Sequence, residues 1–176
     1  MIAYRPAIAI SASILVVSSV LVWGVGFRVN LSDSMAPGLY RIMPLTRPLK
    51  HGDMIAVCLP YSVAVFGRER GYVGLGNCPG GVEALLKFVE ALAGDRVTFS
   101  ARGVSVNGSL LPESKCLAED EAGRRLRRWN MKHYAVPPKR LWLYAPSPRS
   151  WDSRYWGPVW EDSVEGLAVP IWVTTT

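Results

Sequence analysis

The feature that most constrains this chain is a run of 21 residues without a charged side chain, from Ala7 to Phe27. A helix that crosses the hydrocarbon core of a bilayer needs about 20 consecutive apolar residues. The run therefore predicts an N-terminal transmembrane helix over residues 7–27, preceded by a tail of residues 1–6. The remaining residues, 28–176, are numerous enough to bury the hydrophobic core of one domain.

A secretory signal peptide is the alternative interpretation of the same run. Arg5 precedes the apolar stretch, and Gly24 and Gly26 supply small residues near its end. We favour a retained anchor, because the run is long for the apolar region of a signal peptide and because Trp23 and Phe27 lie where interfacial aromatic residues concentrate. Arginines flank the run on both sides, so the charges do not fix its orientation. Both interpretations send the chain to a membrane.

After the anchor, the spacing of glycine and proline predicts a mainly β domain. Short runs rich in β-branched and aromatic residues lie between these breaks, and Asn107-Gly108 is a typical hairpin turn. The predicted strands are DMIAVCL at 53–59, SVAVF at 62–66, RVTFS at 96–100, GVSVNG at 103–108, LWLYA at 141–145 and GLAVPIWVT at 166–174. Residues 83–92, EALLKFVEAL, differ from these runs, because their periodicity and composition predict a helix.

Charge and cysteine content narrow the classes of function. The formal net charge is +6, and much of the positive charge lies in GRRLRRWNMKH at 123–133. No nucleic-acid motif accompanies this segment, so we interpret it as a solvated basic loop and expect no direct nucleic-acid partner.

The three cysteines form no CxxC or Cys/His array, so no metal site or cofactor is expected. Cys78 and Cys116 lie in loop-like stretches and are candidates for a disulfide, whereas Cys58 lies in an apolar run typical of a core residue.

Familiar catalytic patterns are absent from the sequence. There are two histidines, neither beside a recognisable nucleophile, and there is no G-x-S-x-G elbow and no phosphate-binding loop. Three other segments carry reactive side chains: Ser34 follows the anchor, Lys87 lies in an apolar run, and Asp152 and Arg154 lie among aromatic residues. Each alone has an ordinary explanation as a turn serine, a lysine that extends to the surface, or a structural ion pair.

Taken in this order and behind a predicted membrane span, the segments resemble the motifs of the type I signal peptidase family. That family has an S-x-S-M-x-P nucleophile motif, a G-D-x-[IV] element, a lysine followed seven and eight residues later by Gly-Asp, and a late D-S-R-x-x-G motif. The matching residues are Ser32, Ser34, Met35 and Pro37; Gly52, Asp53 and Ile55; Lys87, Gly94 and Asp95; and Asp152, Ser153, Arg154 and Gly157.

The resemblance implies a signal-peptidase-like all-β catalytic core, in which residues 83–92 are a strand rather than a helix. It also implies that Ser34 is the nucleophile and that neutral Lys87 is the general base. The Ser34 backbone N–H and the Ser32 hydroxyl would form the oxyanion hole. Met35, Pro37, Gly94, Asp95, Ser153 and Arg154 would be supporting residues.

Asp152 is a third catalytic candidate, because the resemblance implies that it takes part in activity. A carboxylate in direct contact with Lys87 would raise the pKa of that lysine and so oppose its use as a base. We therefore expect Asp152 to pair mainly with Arg154 and to act on the site indirectly.

Departures from the housekeeping enzymes favour one branch of the family. Phe88, Ala91 and Ala93 replace residues usual in housekeeping signal peptidases, whereas CPGG at 78–81 and DSRYWGP at 152–158 resemble the TraF-type conjugative-transfer peptidases. These enzymes mature a pilin, and some join its ends into a ring. The resemblance thus implies a Ser/Lys endopeptidase of the bacterial inner membrane, with its catalytic domain in the periplasm and with a propilin or other precursor and membrane lipid as partners. The alternatives are a housekeeping signal peptidase and a non-enzymatic β module of a secretion complex.

Overall fold

A computed structural model of the protein describes residues 26–129 and 131–174. These residues are folded mainly as β-strands. The strands are β1 (Phe27–Asn30), β2 (Gly38–Met43), β3 (Met54–Val57), β4 (Leu75–Cys78), β5 (Leu85–Ala91), β6 (Arg96–Ser100), β7 (Gly103–Val106), β8 (Ser109–Leu110), β9 (His133–Ala135), β10 (Arg140–Tyr144), β11 (Val159–Trp160) and β12 (Val164–Val173). The helices are α1 (Tyr61–Glu69) and α2 (Ser153–Trp156), with a 3₁₀ turn at Glu161–Ser163. The predicted mainly β fold is confirmed.

Two antiparallel sheets organise the domain. The larger has seven strands in the order β1-β2-β12-β3-β5-β10-β11, and the smaller has four in the order β8-β7-β6-β9. The smaller sheet contains the Asn107-Gly108 hairpin, in which Val106 pairs with Ser109. Apolar side chains from the larger sheet fill two core clusters, and those of the smaller sheet pack around Trp142 and Phe99 in a third.

The larger sheet positions all the predicted catalytic residues. The loop of residues 31–37, called the nucleophile loop below, joins β1 to β2 at one edge. Lys87 lies on β5 in the interior of the sheet, and Asp152 immediately precedes α2, beyond β10. Because β12 and β3 lie between β2 and β5, residues distant in sequence must meet across the sheet.

Two predictions made from short apolar runs alone are wrong. Residues 83–92 do not form a helix; residues 85–91 are strand β5, which is paired on both sides by β3 and β10, as the family resemblance implied. Residues 62–66 do not form a strand, because they lie in α1, which buries Ala64 and Gly67. A Cβ at Gly67 would clash with the ring of Trp151, so helix and tryptophan pack closely there.

The predicted tail and most of the predicted anchor, residues 1–25, lie outside the described residues. Of the last two residues of the predicted span, Gly26 is in a turn and Phe27 begins β1, so the span cannot extend to Phe27 as a helix. In the part of the chain that the structure describes, neither helix has the length and apolar character needed to cross a bilayer.

Candidate active site

The structure brings Ser34 and Lys87 into direct contact. The Lys87 Nζ atom lies 3.0 Å from Ser34 Oγ, although the residues are 53 positions apart in sequence. Lys87 is only 2% exposed. Burial disfavours the ammonium form and lowers the pKa of Lys87 from its ordinary value of 10.5 to about 8, against the field of Asp152, which raises it. A large fraction of this amine is therefore neutral in mildly alkaline solution.

The position of Lys87 within β5 explains its burial. It pairs with Ile55 of β3, and its neighbours Phe88 and Val89 pair with strand β10 on the other side. A strand in the interior of a sheet has its backbone hydrogen bonds satisfied and its side chains packed on neighbours, so little water reaches Lys87. Strand β5, for which the sequence pattern alone predicted a helix, is thus the element that shields the Lys87 amine from water.

Ser34 is held in a different way, on the exposed nucleophile loop. Met35 is buried and belongs to the core cluster of the larger sheet, so it anchors the loop immediately after the serine. The Pro37 carbonyl accepts a hydrogen bond from the Thr174 backbone N–H at 2.9 Å, which attaches the end of the loop to the C-terminal strand. Met35 and Pro37, both motif residues, therefore fix the loop on either side of its exposed tip.

Ser32 lies beside the reacting hydroxyl. Its Oγ atom is 3.1 Å from Ser34 Oγ and 2.8 Å from the side-chain oxygen of Asn30. Within residues 26–129 and 131–174, no acceptor receives the backbone N–H of Ser34. A backbone N–H without an acceptor and a neighbouring hydroxyl that can rotate are the kinds of donor that stabilise an oxyanion in acyl-transfer chemistry.

Asp152 and Arg154 form a fully buried ion pair rather than a second contact to Lys87. The Arg154 Nε and Nη2 atoms lie 2.8 and 2.9 Å from the two oxygens of Asp152, and both side chains have no exposure to solvent. Arg154 also donates to the carbonyl groups of Ser147 and Ser150. The Asp152 field raises the pKa of Lys87 and the Arg154 field lowers it, so the pair acts on the base through space.

Other motif residues hold turns and strand ends instead of joining the site. Asp95 accepts hydrogen bonds from the Leu92 backbone N–H and the Asn107 side chain, both at 2.7 Å, and follows Gly94, whose φ is +94°. Ser153 Oγ accepts the Leu143 backbone N–H at 2.9 Å. These contacts fix the turn after β5 and the junction of β10 with α2, which in turn fix the strands that carry the site.

Two residues that the sequence analysis missed lie at the site. Ser150 is buried, lines the same cleft as Lys87, and its hydroxyl has no hydrogen-bond partner in the described residues. Asn30 binds the backbone and side chain of Ser32. The signal for Asn30 was its place two residues before a serine, where side chain-to-backbone bonding is common. Ser150 has no comparable signal, because only the fold places it beside β5.

A cleft with a volume of about 380 Å³ opens over the Ser34–Lys87 contact. Its walls are residues 28–34, residues 83–87 and the loop before α2, with Tyr72 and Trp151 at one end. The cleft is large enough for several residues of an extended peptide, and it presents both a nucleophile and a neutral amine to that peptide. A hydroxyl nucleophile beside a buried amine is an arrangement that can carry out acyl transfer.

The predicted pairing of Cys78 with Cys116 is wrong. Cys78 is bonded to Cys58, and Cys116 is a free, partly buried thiol. Cys58 follows the end of β3 and Cys78 ends β4, so the bond closes the 20-residue separation that contains α1. The apolar run around Cys58 does contain a strand, β3, but Cys58 follows the end of that strand and lies beside the end of β4. The sequence pattern did not reveal that these two strand ends are neighbours.

The family model described as signal peptidase, peptidase S26, matches residues 1–173 of the chain. Among solved structures, a signal peptidase I of Enterococcus faecalis V583 is similar, with a TM-score of 0.38 and 22% identity over 69% of this chain and 97% of that one.

Curated relatives share more of the sequence. A conjugal transfer protein TraF of Agrobacterium tumefaciens (strain 15955) is 40% identical over 148 residues, which cover 83% of this chain and 82% of the relative. A probable conjugal transfer protein TraF of Sinorhizobium fredii (strain NBRC 101917 / NGR234) is 38% identical, with coverage of 83% and 77%. A plasmid transfer protein TraF of Escherichia coli is 35% identical, with coverage of 85% and 84%.

Proposed function

The chain belongs to the signal peptidases of peptidase family S26 and to their TraF-type branch, and from that premise we propose that it is a membrane-bound Ser/Lys endopeptidase that processes the propilin of a conjugative DNA-transfer system. One observation carries the proposal. The Nζ atom of the buried Lys87 lies 3.0 Å from Ser34 Oγ, with a pKa lowered to about 8. A hydroxyl paired with a neutral amine is an activated nucleophile.

The chemical steps follow from these two groups. Ser34 Oγ attacks the scissile carbonyl carbon while Lys87 Nζ takes the hydroxyl proton, which gives a tetrahedral oxyanion and an ammonium. The ammonium then returns its proton to the departing amine as the carbon–nitrogen bond breaks, and an ester to Ser34 remains. Water, deprotonated by the same lysine, attacks the ester and releases the new carboxyl end and the free serine.

The oxyanion is the point at which Ser32 and Ser34 act together. The unpaired backbone N–H of Ser34 and the hydroxyl of Ser32, 3.1 Å from the nucleophilic oxygen, supply the two donors. The loss of one such donor typically costs about a hundred- to a thousandfold in rate. Asp152 contributes through its charge, which offsets the charge of Arg154 near the base. The pKa of Lys87 is therefore not lowered by the arginine field alone.

The proposed place of action is the periplasmic face of the inner membrane. The Cys58–Cys78 bond supports it, because disulfides persist in oxidising compartments. Exposed apolar side chains near the end of β1 also support it: Val29 is 65%, Leu31 84% and Trp172 71% exposed. Val29 pairs with Leu39 of β2, and Leu39 pairs with Trp172 of β12, so Val29 and Trp172 form part of one apolar row beside the end of the predicted anchor.

The substrate class is drawn from the relatives and the cleft. The relatives carry the names of conjugal and plasmid transfer proteins, and the cleft accommodates an extended segment of polypeptide. A propilin, whose cleavage site emerges at the membrane surface, meets both conditions.

Co-expression of the full chain with a candidate propilin, followed by intact-mass measurement of the pilin, tests the proposal. We expect the mature mass with the wild-type enzyme and with Ser109→Ala, an exposed serine on β8, and the precursor mass with Ser34→Ala. The same spectrum reports the fate of the ester, because a pilin closed by its own amino group is about 18 Da lighter than the hydrolysed one.

Two results would contradict the proposed function and favour an alternative. Mature pilin from Ser34→Ala cells that contain no other peptidase for it would favour a non-enzymatic module. Processing of ordinary secretory precursors at rates equal to those of the propilin would favour a housekeeping signal peptidase.

A further inference from the structure

We infer that Asn30 is a positioning residue that builds the nucleophile loop and holds the Ser32 hydroxyl ready for the oxyanion. The inference rests on the proposed function. The side-chain nitrogen of Asn30 donates to the carbonyl groups of Ser32, Met35 and Ala36, at 3.1, 2.9 and 3.2 Å. Its side-chain oxygen accepts the Ser32 backbone N–H at 3.2 Å and the Ser32 hydroxyl at 2.8 Å. One amide therefore bonds to both sides of Ser34.

The hydrogen-bond partners of Asn30 identify which side-chain atom is the nitrogen and which is the oxygen. The nitrogen faces only carbonyl oxygens, and the oxygen faces an N–H and an O–H. A reversed amide would place like groups against each other at all four backbone contacts. The site therefore selects a neutral side chain that both donates and accepts, which aspartate, leucine and alanine do not provide.

The loop needs this amide because, in the described residues, its Ser32 and Met35 carbonyls have no other hydrogen-bond donor. Asn30 pairs with Gly38 where β1 and β2 meet, and the seven residues between them form no strand ladder. Tyr40 donates its hydroxyl to the Ala36 carbonyl at 2.6 Å, which leaves the Ser32 and Met35 carbonyls to Asn30. A loop open to a substrate cleft thereby acquires one defined conformation around its serine.

Asn30 also assigns the hydroxyl protons at the resting site. Because its side-chain oxygen has no hydrogen, the 2.8 Å contact fixes the Ser32 hydroxyl as the donor. Lys87 Nζ donates to Ser34 Oγ in the structure; once the lysine is neutral, the Ser34 hydroxyl can donate to Nζ instead, which is the direction of proton transfer. When the oxyanion forms, the Ser32 hydroxyl turns from Asn30 to the oxyanion, while the Ser32 backbone N–H stays bound to Asn30.

The test compares Asn30→Ala and Asn30→Asp with wild type in the purified, membrane-reconstituted full chain and a peptide that spans the cleavage site. Asn30→Asp keeps the volume and the acceptor but turns an oxygen toward three carbonyls. We expect kcat to fall about ten- to a hundredfold in both variants, because misplacement of about 1 Å has that cost. We expect KM to change less than about threefold in both variants. The midpoint of the pH–rate profile should stay at the wild-type value in Asn30→Ala, because the burial of Lys87 is unchanged, and should move to higher pH in Asn30→Asp, because a carboxylate beside Ser32 favours the ammonium form of Lys87.

Ser100→Ala is the matched control. Ser100 also holds a turn through one side chain that accepts and donates, accepting from the Arg102 backbone N–H at 3.2 Å and donating to the Gly103 carbonyl at 3.0 Å, but it ends β6 in the smaller sheet. We expect it to lower the melting temperature without lowering kcat. A double variant, Asn30→Ala with Ser32→Ala, should lose less than the product of the two single losses, because the residues act as a unit.

The outcomes separate this inference from the proposed function. A wild-type kcat in folded Asn30→Asp, with Ser34→Ala inactive, overturns the role of Asn30 and leaves the peptidase intact. Equal activity of Ser34→Ala and wild type removes the proposed function itself. If Asn30→Ala does not fold, Asn30→Asp decides the matter. If neither variant folds, Asn30 serves the stability of the whole domain rather than the site, and the inference fails.

Discussion

Ser34 and Lys87 meet at 3.0 Å, yet the regions that carry them differ in exposure, in hydrogen bonding and in position within the sheet. The serine lies on an open loop at one edge, where one asparagine amide and one buried methionine replace a strand ladder. The lysine lies on an interior strand with a neighbour on each side. The difference agrees with the roles proposed for them, since a nucleophile must reach substrate and a neutral lysine base must be kept from water.

This comparison predicts that activity depends on both regions, whereas stability depends mainly on the lysine region. The following experiments test it in order of expected effect.

The largest effect is expected from removal of either reacting group. Ser34→Ala and Lys87→Ala should each reduce kcat by about a thousandfold or more, and the double variant should be hardly worse than either, because the two groups act in one step. The measurement is single-turnover cleavage of the precursor by reconstituted enzyme, with folding verified by circular dichroism. Substantial cleavage by Lys87→Ala at neutral pH would exclude the pair as the catalytic unit.

Asp152→Ala should destabilise the domain by about 3–5 kcal/mol, because it leaves the guanidinium of Arg154 buried without its partner. Urea denaturation provides the free energy of unfolding. Glu121→Ala is the control, because Glu121 and its partner Arg149 are 72% and 69% exposed and an exposed pair contributes about 1 kcal/mol or less. Equal losses in the two variants would contradict the structural role given to the buried pair.

Lys87→Met should abolish activity and yet stabilise the fold by about 3 kcal/mol at pH 7. The folded-state pKa of Lys87 is about 8 and its ordinary value is 10.5, so the unfolded chain holds more protons between these values and wild-type stability rises with pH there. The gain from methionine should therefore be largest below pH 8 and should vanish as pH rises past 10.5.

Unfolding measured at three pH values tests this prediction. Ser34→Ala and the exposed-lysine variant Lys132→Met should change stability by less than about 0.5 kcal/mol. A gain for Lys87→Met that does not vary with pH would show that burial of the ammonium is not its cause.

The smallest effect concerns the position of the pH–rate profile. Activity should rise about tenfold per pH unit up to a midpoint near 8 and then level off, because only neutral Lys87 accepts the Ser34 proton. Asp152→Asn should move the midpoint to lower pH, because the Asp152 field raises the pKa of Lys87 and its loss leaves the Arg154 field, which lowers it. A shift toward higher pH would contradict the assignment of those two fields.

The mainly β, signal-peptidase-like fold and the proximity of Ser34 and Lys87 could be predicted from the sequence, because both follow from the order of motifs along the chain. The predictions failed where side-chain packing decides the structure. No residue of 85–91 is exposed, so their sequence lacks the apolar–polar alternation of a half-exposed strand, and the pattern alone predicted a helix where the family resemblance implied a strand. The Cys58–Cys78 bond depends on which strand ends become neighbours. The role of Asn30 depends on hydrogen bonds to backbone groups, which every residue has, so the sequence pattern does not single out this asparagine.

Strand β12 is the last strand of the described residues, yet it lies between β2 and β3 and is paired with both. Within the larger sheet, the edge that carries Ser34 is joined to the strands around Lys87 through this strand. Residues 26–163 alone therefore leave a gap between β2 and β3. Because pairings between strands distant in sequence form slowly, we expect the Ser34–Lys87 contact to be among the last parts of the described fold to form during synthesis.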